Sequence, residues 1–338
     1  MKAWTLPAFG IDSLTLKDFS TPSLKPGQVL MQVEAVSLNY RDLLVILGHY
    51  NPKMHLPRIP ASDGAGVVKA IGEGVTRVKP GDRVCGSFMQ NWIDGRPTQE
   101  KIRGALGGDI DGMLAEEVVL HEQGLVKIPD YLSIEEAATL PCAALTAWNA
   151  LINAAHLTAG ETVLIQGTGG VSIFALQFAK AMGARVLGTS GSYQKLEHAR
   201  KLGLDAGHNY RTQPEWAKWV IEQTDGQGAD VIVEVGGSGT FPQSLAAIRI
   251  GGTVAQIGVL TQSSDPLHIP LILHKQVHVQ GIYVGSRTQF EDMNRALDQN
   301  RIQPVIDNIY AFQDLPAALR HMQSATHFGK IVVRVSQS

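Results

Sequence analysis

Cysteine is almost missing from this chain: Cys85 and Cys142 are the only two among 338 residues. Two isolated thiols cannot form a disulfide framework, and no C-x-x-C spacing offers a redox pair or a zinc knuckle. Buried free thiols are the expectation. Long apolar runs are missing too, since none approaches the roughly 20 residues that a membrane span needs. The opening MKAWTLPAFG carries neither the basic start nor the apolar stretch of a secretory leader. These absences predict a soluble, cytoplasmic protein with no membrane partner. An excess of one charge is lacking as well: 29 Lys and Arg face 31 Asp and Glu, for a formal charge of −2 without a dense basic run. Such a surface has no electrostatic footprint for nucleic acid or anionic lipid, so a small-molecule partner is predicted. What is present is 44% apolar residues with 18% charged, ordinary for a globular chain and sufficient at this length for two cores.

Two grammars divide the sequence. From Val29 to Val84 apolar residues alternate or come in short runs (VLMQVEAVSL, GAGVVKAIG) broken by Pro and Gly, which predicts strands and turns. The stretch from Gly86 to Gly112 has no period and reads as a long surface lobe. Strand character resumes in AEEVVLHEQGLVKIP. After Pro141 helices and strands alternate. ALTAWNALINAAHL and VSIFALQFAKAMG read as helices, TVLIQG, ARVLGTS, AGHNY, ADVIVEV, GTVAQIGV and VHVQGIYVG as strands, with QKLEHARKLG, PEWAKWVIEQT and FPQSLAAIRI as helices between them and TQFEDMNRALDQN as a helix after the last. Six such strands predict a doubly wound parallel sheet. The terminal KIVVRV has no helix after it and is expected to rejoin the N-terminal β-rich part.

TVLIQGTGGVSIFALQFAKAMGA places a strand, a glycine turn and an amphipathic helix in immediate succession, the context in which glycines bind a dinucleotide. Gly167, Gly169 and Gly170 form the turn, where a side chain would stop the backbone from reaching a pyrophosphate met by the helix N-terminus. Ser172 stands where the third glycine is usual. An NAD enzyme carries an acidic residue at the end of the second strand to bind the ribose hydroxyls. This chain has Thr189-Ser190-Gly191-Ser192 there. With no carboxylate to repel a 2′-phosphate, and with Lys195 one turn into the next helix and Tyr210 at the end of the third strand, NADP is expected. The alternative for Lys195 is a solvated helix lysine.

Several motifs in one order, SLNYRDLLVILGHY, PRIPASDGAGVV, KPGDRVCG, ATLPCAALTAW, QGTGGVSIFALQFAKAMGA, SGSYQKLEHARKLGLDAGHNYR and FGKIVVRV, resemble the medium-chain dehydrogenase/reductase superfamily and, within it, its zinc-independent quinone oxidoreductases. The resemblance covers essentially the whole chain. It implies an α/β protein with a GroES-like β-rich catalytic domain over residues 1–125, completed by 290–338, and a doubly wound parallel-sheet Rossmann domain over residues 126–289 that binds NADP. By that likeness Thr146, Gly169, Gly170, Val171, Ser190, Lys195, Tyr210, Gly258 and Lys330 contact the cofactor, with Asn39 near its nicotinamide ribose. The likeness also implies a homodimer joined along VHVQGIYVG.

Zinc-dependent relatives hold a catalytic metal with a Cys, a His-Glu pair and a later Cys. Here those places read Asn39, Ser62-Asp63 and Cys142, and one thiol cannot replace three protein ligands. No metal is expected. Without a Lewis acid the plausible acceptor is a quinone or an α,β-unsaturated carbonyl, in which conjugation spreads the charge left by hydride addition. Tyr50 matches a tyrosine that related enoyl-thioester reductases place beside substrate. It is the candidate proton donor, with a pocket-wall role as the alternative, and Asn39 is the candidate partner of the substrate oxygen. Asp42 and Asp63, read as loop residues, are expected to serve turns. The competing readings are a zinc-free alcohol or enoyl-thioester reductase and an NADPH-binding protein without significant catalysis.

Overall fold

The computed structural model describes residues 1–21, 23–261, 263 and 269–335. The chain forms two compact units, Met1–Leu145 together with the segment from Gly285 onward, and Thr146–Val284. The change of unit thus falls at Leu145 and Thr146 instead of near residue 126. The reason is strand pairing: Leu125–Lys127 continues the first unit's sheet against Arg83–Gly86 and keeps the following segment there.

The first unit is built on a seven-stranded sheet. Its path runs Ile306–Ala311, Lys330–Arg334, Gln28–Leu38, Asp63–Ile71, Arg83–Gly86 and Leu125–Lys127, with Glu117–His121 also on Gln28–Leu38. The long central strand is apolar almost throughout because it has neighbours on both edges. Glu117–His121 pairs with its first half and Lys330–Arg334 with its second, in a register that sets Ile331 opposite Leu38. The C-terminal strand therefore rejoins the N-terminal sheet as expected. That register puts Lys330 beside Asn39, 291 residues away in sequence.

The stretch from Gly86 to Gly112 is more than surface. Phe88, Met89, Trp92, Ala105 and Leu106 are buried, and Met89 bridges Ala105. Its apolar residues are spaced by turns rather than by a regular element, so no period marks them.

The second unit is a six-stranded parallel sheet in the order Ala206–Asn209, Arg185–Ser190, Thr162–Gln166, Ala229–Glu234, Ile248–Gln256, His278–Gly281. All six expected strands are present. The order reverses at Thr162–Gln166, where ligands of doubly wound sheets bind beyond the strands' carboxyl ends. Two local readings change. The helix expected over FPQSLAAIRI stops at Ala247, and Ile248 already belongs to the next strand because it pairs with Ala229. ALTAWNALINAAHL is not one regular helix: Leu145–Trp148 is α-helical and is flanked by wider π turns over Leu140–Ala144 and Asn149–Ala154. Among the described residues no helix is long and apolar enough to cross a membrane.

Candidate active site

In the first unit the chemistry gathers where Gln28–Leu38 gives way to the helix Tyr40–Ile46. Asn39 is the helix N-cap in extended conformation, and its backbone N–H donates to the Asp42 carboxylate at 2.8 Å. Asp42 is thus a first-turn helix residue and not a loop residue. Its position suits a carboxylate, which meets the free N–H groups and positive end of a helix start. The second carboxyl oxygen of Asp42 accepts the Ser62 N–H at 3.2 Å, tying the helix to the strand Asp63–Ile71. Asp63 opens that strand. The approach to it is held by Ala61, whose φ of 67° is left-handed. Gly107 and Gly112 lie so close to the Ala61 backbone that an added Cβ would come within 2.7 and 2.0 Å of it. Any side chain at those glycines would displace the Ser62-Asp63 pair.

Lys330 enters this cluster from the C-terminal strand. It is 3% exposed, and its ammonium donates to the Leu38 carbonyl at 2.6 Å and to Asn39 Oδ1 at 2.5 Å. Asn39 Nδ2 reaches Ser62 Oγ at 3.4 Å, Ser62 Oγ donates to Asp63 Oδ1 at 2.7 Å, and the Cys142 N–H donates to Asp63 Oδ2 at 2.9 Å. Asn39, Ser62, Asp63 and Cys142, the places that the family resemblance likens to a zinc site, therefore form one hydrogen-bonded network that the Lys330 ammonium joins through Asn39. Among the described residues no three His, Cys, Asp or Glu side chains are placed to hold an ion. A dication does not fit a cluster that already contains a buried cation on the Asn39 oxygen.

Burial dominates the proton affinities. It pushes the Asp63 carboxyl up to about 6, against the pull of Lys330 and with the push of Asp42. Burial also raises Asp42, against Arg41, and lowers Lys330, against Asp63. The Cys142 thiol is raised by desolvation and by the Asp63 charge, which makes it a poor nucleophile.

Tyr50 lies outside this network. The residue is 40% exposed, and the Arg41 guanidinium carbon sits 5.1 Å from the centre of its ring. Arg41 also stacks on Phe88, donates to the Leu106 carbonyl at 2.6 Å and approaches Asp42 at 3.6 Å. This arginine, which the sequence did not single out, links the Tyr50 ring to the buried carboxylate.

In the second unit the strand Thr162–Gln166 turns through Gly167, Thr168 and Gly169 into the helix Gly170–Ala181. Gly167 has a φ of 67°, which favours glycine, and its N–H donates to Thr189 O at 2.7 Å. A Cβ built on Gly167 or Gly169 meets nothing within 4 Å. The turn is therefore an open cradle in front of helix N–H groups, the arrangement that fits a pyrophosphate. Val171 is in the first helical turn. Ser172, at the third-glycine position, is buried and donates to the Gln166 carbonyl at 2.6 Å, locking helix to strand where a glycine would only pack closely.

Ser190 and Tyr210 come together at the ends of the next two strands. Tyr210 N donates to Ser190 O at 3.2 Å, and Lys195 is in the first turn of the helix Tyr193–Lys201, capped by Ser192. A Cβ on Gly191 would stand 3.1 Å from Tyr210 Oη and 2.8 Å from Arg211 Nε. Arg211 is a further cation at this edge that the sequence reading missed, although it adjoins Tyr210. Gly258 follows the fifth strand, where an added Cβ would lie 1.8 Å from the Val235 carbonyl oxygen. Thr146 is buried at the start of the unit, in the helix Leu145–Trp148.

A second missed residue is Glu234. It is fully buried at a strand end and accepts the Gly236 and Gly237 N–H groups at 2.8 and 3.0 Å, Thr240 Oγ1 at 2.6 Å, Gln166 Nε2 at 2.7 Å and the Ser244 hydroxyl. Five donors hold the loop 235–240 at the sheet's carboxyl end.

Comparison with known proteins places this geometry. Residues 25–130 match the alcohol dehydrogenase GroES-like domain and residues 170–299 match the zinc-binding dehydrogenases. A zinc-type alcohol dehydrogenase-like protein of Schizosaccharomyces pombe is 42% identical over 96% of both chains. An acryloyl-coenzyme A reductase of Metallosphaera sedula is 29% identical over 94% of this chain and 95% of its own. The crystal structure of an NAD-dependent alcohol dehydrogenase superposes with a TM-score of 0.91 at 32% identity, covering 99% of this chain and all of that one.

Proposed function

Because the chain belongs to the medium-chain dehydrogenase/reductase superfamily of oxidoreductases, we propose that it is an NADPH-dependent reductase that passes hydride to a quinone or an α,β-unsaturated carbonyl without a metal. One observation carries this reading: the Lys330 ammonium on Asn39 Oδ1, in the place where relatives of the zinc type put their ion. A site that lacks a Lewis acid favours acceptors that delocalise the charge themselves. The acryloyl-coenzyme A reductase among the relatives supports a conjugated acceptor.

The bound dinucleotide supplies the hydride. The cradle of Gly167, Gly169 and Gly170, with Val171 in the first helical turn, is assigned to its pyrophosphate, and Ser190, Lys195, Tyr210 and Arg211 to a 2′-phosphate. Lys195 and Arg211 are the cations of this edge, and the strand end between them carries no carboxylate, which supports NADP over NAD. Thr146, Gly258 and Lys330 are assigned further cofactor contacts. By accepting from Lys330, Asn39 Oδ1 fixes the amide's orientation; one Nδ2 hydrogen is directed to Ser62 Oγ, and the other is assigned to the nicotinamide ribose or to the oxygen of the acceptor. Tyr50, held by Arg41, is assigned the proton transfer that completes reduction.

The test is a turnover panel of quinones, enones, enals, 2-enoyl thioesters and simple aldehydes with NADPH and NADH, run on protein of measured metal content. Oxidation of NADPH by conjugated acceptors on metal-free protein is expected. Stoichiometric zinc, with activity lost to chelation and restored by the ion, overturns it. The alcohol dehydrogenase names among the relatives favour a second reading, a zinc-free alcohol reductase, which turnover of simple aldehydes selects. Tight NADPH binding with no turnover anywhere on the panel selects a binding protein.

A further inference from the structure

The first unit carries a recess of about 350 Å³ that the reductase reading leaves unused, lined by Asn51, Lys53, Met54, His55, Arg58, Arg103, Gly108 and Asp109. It begins at the residue after Tyr50. Gly108 on its wall backs onto Arg41, whose Nη2 lies 2.3 Å from where a Gly108 Cβ would stand, and Arg41 is the residue stacked on Tyr50. The recess and the Tyr50 ring thus share one arginine as a wall.

Its charge is one-sided. Lys53, Arg58 and Arg103 are cations, and Asp109 is the only carboxylate in the lining. Asp109 is turned to the backbone, its Oδ2 accepting the Gly104 and Ala105 N–H groups at 2.9 and 3.2 Å. Arg58 has one partner, Asp111 at 3.2 Å, and its buried Nε has none. Among the described residues no carboxylate comes within ion-pair distance of Lys53 or Arg103, although the chain as a whole is slightly acidic. The Asn51 side chain accepts the Lys53 N–H at 3.1 Å and fixes the turn that presents the lysine. Cations gathered in a concave site with few counter-charges suit an anion that offers several oxygens, as a phosphate ester does.

We propose that this recess binds a phosphate-bearing tail of the acceptor, so that the substrate is an α,β-unsaturated acyl thioester of a phosphorylated carrier such as coenzyme A or phosphopantetheine. This rests on the reductase reading and narrows its acceptor. The conjugated carbonyl meets Asn39 and Tyr50, and the tail runs past Tyr50 to Lys53, Arg58 and Arg103. The recess takes no part in bond making; it adds binding energy remote from the reacting atoms.

The test compares one 2-enoyl group carried on coenzyme A, on phosphopantetheine and on phosphate-free N-acetylcysteamine, with the full-length enzyme and NADPH. The phosphorylated thioesters are expected to show a kcat/KM on the order of tenfold higher, carried by KM. The double variant Lys53→Ala, Arg103→Ala is expected to erase that advantage while leaving the N-acetylcysteamine thioester and a neutral quinone unchanged, as is a rise in salt from about 50 to 200 mM. An advantage of coenzyme A over phosphopantetheine assigns the recess to the nucleotide phosphates, and equal values assign it to the phosphate both share. Equal kcat/KM for all three carriers, or an advantage that survives in the double variant, overturns the proposal. If no acceptor of any kind is reduced, the reductase reading fails by itself. Calorimetric titration with free coenzyme A then decides the recess alone: binding lost in the double variant upholds it, and no binding in the native protein rejects it.

Discussion

Lys330 and Asp63 are the two residues whose charges decide how the first unit tolerates its buried polar cluster. Removing one member of a buried charge set leaves the others uncompensated, which costs about 3–5 kcal/mol, whereas removing both can cost far less. Lys330→Met is therefore expected to lower unfolding free energy strongly, and Lys330→Met with Asp63→Asn to recover part of the loss, as measured by urea denaturation of all four proteins. In any Lys330 variant that folds, the Asn39 amide is free to flip and the cofactor contact assigned to Lys330 is lost, so kcat/KM is expected to fall by more than NADPH affinity does. Asp63 also makes stability depend on pH. Its folded pKa of about 6 lies above its ordinary value of 3.8, so the folded state binds the extra proton between those values. Its contribution is fully present below the unfolded value and is lost as pH rises through about 6. From pH ~4.5 to ~7.5 that loss is roughly 2 kcal/mol. Asp63→Asn is expected to remove this fall, so the difference in stability between the two pH values should become more favourable to high pH than in the native protein. An unchanged pH dependence would show that Asp63 is ionised in the fold throughout.

At the scale of elements, the strand–turn–helix of the second unit separates glycines kept for conformation from glycines kept for a ligand. Gly167→Ala places a Cβ at a φ of 67° and is expected to cost about 1–2 kcal/mol of stability even without cofactor. Gly169 has a φ of −79° and open space where its Cβ would go, so Gly169→Val should leave the melting temperature of the apoprotein near that of the native protein. It is nonetheless expected to weaken NADPH binding at least tenfold, about 1.4 kcal/mol, because the new side chain fills the pyrophosphate's place. At the neighbouring edge, Arg211→Ala should raise the Kd for NADPH but not for NADH, read by fluorescence titration at fixed salt. Equal effects on both would assign Arg211 to the backbone turn alone. This element was legible in the sequence because its signal is local: a buried strand run, glycines at fixed offsets and an amphipathic helix, all in the one segment from Thr162 to Ala184. The Lys330–Asn39 contact joins positions 291 apart, and no periodicity links them. Each was picked out by resemblance, but their bond was not. Arg211 escaped because a cation after a strand end looks like any solvated residue until Gly191 brings the chain close. Glu234 escaped because its five donors come from three segments. Asp42 opens a helix instead of lying in a loop, because an Asn followed three residues on by a carboxylate is also the pattern of a helix start.

At the scale of the molecule, the second unit's sheet ends on a strand that has nothing beside it among the described residues. His278–Gly281 pairs in parallel with Ile248–Gln256 on one edge only, and all four of its residues are exposed. An exposed edge with unpaired N–H and C=O groups is a template for another strand, and proteins that leave such an edge bare usually charge it or cover it. This one bears Val279, 43% exposed, and no Lys, Asp or Glu. The homodimer implied by the family resemblance would use the edge by pairing it with its own copy about a two-fold axis, which joins two six-stranded sheets into one. In a two-fold contact a single new charge meets itself, so Val279→Lys introduces two like charges across the seam at once. Sedimentation equilibrium is expected to give twice the chain mass for the native protein and the single-chain mass for Val279→Lys, with NADPH affinity retained because the phosphate cradle follows the central strand Thr162–Gln166, with two strands between it and this edge. A native protein that sediments as a single chain removes the dimer. A dimer that survives Val279→Lys with unchanged dissociation constant moves the interface to another face.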